Sequence, residues 1–145
     1  MNALDLRSVL ADVDHSGAYF VADSDTAAMA EAGAALGYTV VRIDLAGCTD
    51  EACLYARFAD ALRFPDWFGH NRDALADSLG DLAWLPADGY LLLIEHASAW
   101  RAAAGADAAI VLEILNEAAA GWASRSVAFW AILPLPAAEL DALAP

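Results

Sequence analysis

Five consecutive apolar residues, Tyr90-Leu-Leu-Leu-Ile94, constrain the fold more than any other stretch of this 145-residue chain. A strand that is apolar on both faces must be covered on both, as the strands of parallel sheets are. Other segments agree. Tyr38-Thr-Val-Val-Arg-Ile-Asp44 is rich in β-branched residues and reads as a strand. Val127-Ala-Phe-Trp-Ala-Ile-Leu133 reads as another, and Ala18-Tyr-Phe-Val-Ala22 as a short buried one. Helical stretches separate them. One runs over about 26–36, capped by Asp23, Ser24 or Asp25 and ended at Gly37. The next covers about 51–62, opened at Thr49, with Leu54, Phe58 and Leu62 at helical spacing and Pro65 as its stop. A short helix over 72–79 takes Asn71 as N-cap and turns Leu75 and Leu79 inward. A long one over about 107–120 has Ile110, Ile114 and Leu115 toward the core and Gly121 as its end. Pro86 to Gly89 is a turn, and 137–143 a final helical turn. This alternation predicts an α/β layered fold, a mainly parallel sheet of three or four strands packed with helices. No repeat or linker divides it, so residues 1–145 read as a single domain.

Charge narrows the function. The formal net charge is -14, and all seven basic residues are arginine. Nucleic acids and anionic membranes demand basic patches, so this balance argues against both and favours a basic protein partner or plain solubility. The 60% hydrophobic content is inflated by 37 alanines, and no apolar run reaches membrane-spanning length. Residues 1–16 carry Asp5, Asp12 and Asp14 and no apolar core of a secretory leader, so the expected location is the cytoplasm. Cys48 and Cys53 lack Cys-x-x-Cys spacing. In that compartment the expectation is two reduced thiols, with a local bridge as the alternative.

The segment with the most chemistry is Phe64-Pro-Asp-Trp-Phe-Gly-His-Asn-Arg-Asp-Ala-Leu-Ala-Asp-Ser-Leu. Asp73 and Asp77 stand four residues apart on one helix face, where like charges cost about 0.2–0.5 kcal/mol. The helix dipole favours Asp73 in the first turn but does little for Asp77. Trp67 and Phe68 precede them; one of the two is expected to pack inward, and aromatics are enriched at interface hot spots. Gly69 is expected to give the loop a left-handed backbone. Glu113 and Glu117 form a second acidic pair on the long helix. Catalytic signatures are sparse. His70 lies outside the helix and forms no two-histidine metal motif. Ser78 has no evident base, no glycine-rich phosphate loop occurs, and neither a metal nor a cofactor is expected.

That segment resembles barstar, the inhibitor family directed at a bacterial ribonuclease. The family pattern is Leu-Pro, an acid, two aromatics, Gly-x-Asn-x-Asp-Ala-Leu and a further Asp. Leu92-Leu-Ile-Glu95 and Ile114-Leu-Asn-Glu117-Ala fit the family's second strand and acid-bearing helix. The resemblance covers residues 38–135, which leaves 1–37 as an N-terminal strand-helix extension on the sheet edge. It implies a non-enzymatic, cytoplasmic inhibitor or immunity protein for a basic ribonuclease, binding one-to-one with no cofactor. By position, Asp77 plugs the ribonuclease catalytic centre and Asp73 meets its rim. Trp67 and Phe68 replace two aromatics, Gly69 and Asn71 hold the loop, and Glu117 adds charge from the neighbouring helix. Three positions depart from the pattern. Ala76 stands where an aromatic is common, His70 where an acid often follows the glycine, and Arg72 where the family has an apolar residue; Arg72 is expected to bring positive charge into the acidic face. Two other readings compete: a barstar-like module for a different basic protein or nuclease toxin, and a small hydrolase using His70 with Asp73 or Asp77.

Overall fold

The computed structural model describes residues 3–143 and has four strands in one sheet. Strand β1 is Ala18–Ala22, β2 Thr39–Asp44, β3 Gly89–Glu95 and β4 Ala128–Leu135. Their order across the sheet is β1-β4-β3-β2, with every pairing parallel. The alternation of side chains along β3 and β4 creates two cores. Tyr90, Leu92, Ile94, Phe129, Ala131 and Leu133 enter one; Leu91, Leu93, Ala128, Trp130 and Ile132 enter the other. Both central strands are almost wholly buried, as the apolar run required.

Helices cover the two faces unequally. Helices α3 (Glu51–Leu62), α4 (Arg72–Asp81), α5 (Ser98–Ala104) and α6 (Ala106–Ala123) supply the larger core. The second face is covered by α1 (Ala3–Leu10) and α2 (Thr26–Ala35). Helix α2 leads from β1 at one edge to β2 at the other, so it must cross the sheet. It lies close to it at Gly33, where an added Cβ would come within 2.5 Å of Leu91 Cδ2. Helix α1 is fastened through one carbonyl: Leu10 O accepts from Tyr38 Oη at 2.7 Å and Trp130 Nε1 at 3.0 Å. The final helix, α7 (Ala137–Leu143), is held by Glu139, which accepts from Arg101 and Ser98, both at 2.6 Å. No helix among the described residues is long and apolar enough to cross a membrane.

Several expectations change. The extension contributes β1 at the sheet edge and α2, but also α1, which the pattern did not predict. Strand β1 is half-exposed rather than buried because an edge strand has a neighbour on one side only. Asp50, not Thr49, caps α3, its carboxylate accepting from Cys53 N at 2.8 Å. Helix α6 passes through Gly121 to Ala123, because the extra turn buries Trp122 and lets its Nε1 donate to Leu79 O at 2.8 Å. The thiols are not reduced: Cys48 and Cys53 form a disulfide. The capping turn at Asp50 folds the chain back and brings their Cα atoms to 5.4 Å, which an extended segment would not do.

Two stability predictions follow from this packing. An added Cβ at Gly89 would sit 2.4 Å from Tyr38 Cδ1, and the Tyr38 ring is anchored at its far end to Leu10. Gly89→Ala should cost about 1–3 kcal/mol, read as a lower urea midpoint. Reducing the disulfide releases a short loop, so its loss should cost about 2 kcal/mol on the chain-entropy view. Paired urea curves with and without dithiothreitol would measure it.

Candidate protein-binding face

Helix α4 is built to point charge outward. Leu75, Ser78 and Leu79 are buried, which leaves Asp73, Asp77 and Asp81 exposed. Its start is set by Asn71, whose Oδ1 accepts from Ala74 N at 2.8 Å. Its end is set by Leu82 in a left-handed conformation. Helices α4 and α6 run in the same direction. Arg72 and Asp107 bond near their starts, and Trp122 and Arg125 bond Leu79 O and Gly80 O near their ends. Glu113 and Glu117, both exposed, therefore lie on the helix beside α4.

Some acids of this region are paired and others are not, and Asp60, Asp66 and Glu113 on the described surface are unpaired too. Glu51 and Asp107 bond Arg72, Glu95 bonds Arg42, and Glu139 bonds Arg101. Among the described residues Asp73, Asp77 and Glu117 make no hydrogen bond or ion pair. Arg72 does not pair with Asp73 or Asp77: Glu51 Oε1 accepts from its Nε at 3.1 Å and its Nη2 at 2.7 Å, and Asp107 Oδ1 accepts from that Nη2 at 2.9 Å. These partners hold the guanidinium more firmly protonated than usual, the Glu51 hydrogen bonds contributing most.

The two aromatics separate cleanly. Trp67 is 66% exposed and rests edge-on against Trp84, with ring centres 5.9 Å apart. Trp84 in turn donates from Nε1 to Leu62 O at 3.0 Å, a support the sequence reading missed. Phe68 is 5% exposed and packs among Tyr55, Phe64 and the His70 ring. It faces the core, and it backs the loop from beneath. The left-handed residue in this loop is His70 (φ 50°), not Gly69. At Gly69 an added Cβ would meet only ordinary contacts, 3.4 Å from Asn71 Nδ2 and 3.5 Å from Ala74 Cβ.

The His70 ring lies tilted against Phe68, centres 4.8 Å apart, and among the described residues it makes no hydrogen bond to Asp73 or Asp77. The cleft beside it, about 410 Å³, is lined by Glu51, Tyr55, Asn71, Arg72 and Asp73 and is open to solvent. Another cavity of about 630 Å³ lies at the carboxyl ends of the strands, where α/β sheets hold ligands. Arg42, Glu95, His96 and Asp23 are its charged or titratable lining groups. Arg42 pairs with Glu95 at 2.7 Å, and His96 Nδ1 lies 2.7 Å from Asp44 Oδ1. The Ala46 amide and, next, His96 hold the Asp44 carboxyl below the usual carboxylate range. Among the described residues no group of three or more His, Cys, Asp or Glu side chains is arranged to hold a metal ion.

Residues 38–134 match the family model described as Barstar (barnase inhibitor), and the chain belongs to the barstar family. The family is one of inhibitors, which gives the chain a ribonuclease-inhibitor-like, protein-binding role at family level. No curated protein matches the chain. The matched range includes all of α4 and the loop before it, and it begins at Tyr38, after the extension.

Truncation should separate surface from support. Phe68→Ala should cost about 3–5 kcal/mol of stability, as loss of a buried aromatic does. Trp67→Ala should leave the unfolding free energy from urea curves within about 1 kcal/mol of the parent, because two-thirds of its surface is already in water.

Proposed function

We propose that this chain is an inhibitor, or immunity protein, that blocks the active site of a basic bacterial ribonuclease in a one-to-one complex. The observation that carries this reading is the pair of exposed, unpaired carboxylates one turn apart on α4, Asp73 and Asp77, within the family-matched segment that also holds the exposed Trp67. A ribonuclease binds a polyanion, so its catalytic groove holds cationic side chains. Carboxylates on a rigid helix can take the places of RNA phosphates there. Asp77 would enter the catalytic centre and Asp73 its rim. Glu117 would add charge from α6, and Trp67 would pack on the enzyme's flank. Phe68, Gly69 and Asn71 would hold the loop that presents Trp67. The repulsion within the free acidic face would be relieved as the cationic partner docks. With Ala76 in place of an aromatic, the contact before Asp77 is smaller, which bears on which ribonuclease fits.

The test is inhibition of RNA hydrolysis by barnase and by other basic ribonucleases. Asp77→Ala should raise the inhibition constant at least about tenfold, as loss of one member of a desolvated ion pair does. Asp66→Ala and Glu113→Ala should have much smaller effects. Equal losses at all three positions would overturn the assignment. The association rate should fall as salt is raised from 50 to about 500 mM, since exposed charges steer the encounter and salt screens them. Tight, salt-sensitive binding to a basic protein that is not a ribonuclease would favour the interaction-module reading instead.

A further inference from the structure

We infer that Arg72 is a positioning residue for the acidic face, clamping the start of α4 to the starts of α3 and α6; its effect on binding rests on the function proposed above. Arg72 is the first residue of α4, where the helix dipole disfavours a cation. A residue that breaks a local rule calls for a tertiary reason. Here the reason is visible. Its fork meets Glu51, the first residue of α3, and Asp107, in the first turn of α6. Two helix starts that favour acids thus supply the acids, and one guanidinium joins three helices. Tyr55 Oη donates to the other Glu51 oxygen at 3.3 Å, which steadies the carboxylate in turn.

The geometry gives this clamp a function. Helix α4 has ten residues and is tied at its carboxyl end by Trp122 and Arg125. At its amino end Leu75 packs into the core, and the Arg72 fork supplies the side-chain hydrogen bonds to α3 and α6. Asp73 is the next residue, Asp77 lies just over one turn further, and the Trp67 loop enters through Asn71. A rigid plug loses less conformational freedom on docking than a frayed one, so the clamp slows dissociation. The family pattern has an apolar residue at this position. This chain holds α4 by charge instead, and the pairing leaves Asp73 and Asp77 free.

Two variants of the full chain test the idea. Arg72→Gln removes both charge and fork; Arg72→Lys keeps the charge and loses the fork. Hydrogen exchange followed by mass spectrometry should show faster exchange across 71–76 in both variants, with β3 unchanged. Binding kinetics with barnase should show dissociation faster by about threefold in both. Association should speed up in Arg72→Gln, which makes the face more acidic, and stay constant in Arg72→Lys. A merely opposing charge would give the reverse: Arg72→Gln would bind more tightly, with exchange and dissociation unaltered, and that result would overturn the inference. If the parent chain binds neither barnase nor another basic ribonuclease, the proposed function fails. The exchange data then decide the clamp alone, and unchanged protection across 71–76 would refute it.

Discussion

Burial of the two central strands on both faces is the constraint on which the rest of the molecule depends. Neither β3 nor β4 has a polar side that water could cover. The sheet therefore needs a helical layer on each face, and the chain supplies them from different regions. Helices α3 to α6 form one layer within the family-matched range. The extension before residue 38 forms the other, with α1 and α2 over Leu91, Leu93, Trp130 and Ile132. Strand β1 also extends the sheet alongside β4. Hydrophobic burial scales with apolar area removed from water, so a second covered face is a substantial gain for a small protein.

That firm attachment allows α4 to present repelling charges. Its inner residues Leu75 and Leu79 are fully buried, and its last turn is bonded to α6. The repulsion between Asp73 and Asp77 is a few tenths of a kcal/mol, against roughly 1.5–3 kcal/mol for each buried leucine. The helix can hold charges that oppose one another because its opposite side is anchored. The arginines help by their placement. Arg42, Arg72 and Arg101 pair with acids elsewhere, and Arg57 and Arg125 donate to backbone carbonyls. A cation from outside would meet unpaired carboxylates at Asp73 and Asp77.

Most of the architecture was legible in the sequence where the signal was local. The four strands fall where runs of apolar and β-branched residues put them, and Asn71 caps α4 as its residue type predicts. Helices α1 and α5 were missed. Helix α5 is rich in alanine, and Trp100 is its one large apolar residue, so it carries no clear amphipathic period. Helix α1 is eight residues long, and it is held by α2 and by a hydrogen bond from Trp130, 120 positions after Leu10. The left-handed residue was assigned to Gly69 on residue type, but the backbone puts it at His70, whose ring gains the contact with Phe68.

By itself the sequence determined the layered α/β class, the acidic helix face and the kinship of residues 38–134, because period, capping and motif are properties of neighbouring residues. Tertiary structure decided which charges are spent and which remain. Arg72 looked like a cation inside an acidic face; in the fold it belongs to Glu51 and Asp107, 21 and 35 positions away. It also decided that Trp67 faces water while Phe68 faces the core, and that Cys48 meets Cys53. Such outcomes depend on distances through space between groups far apart in the chain, or on which side of a turn a residue points. Linear spacing does not encode either.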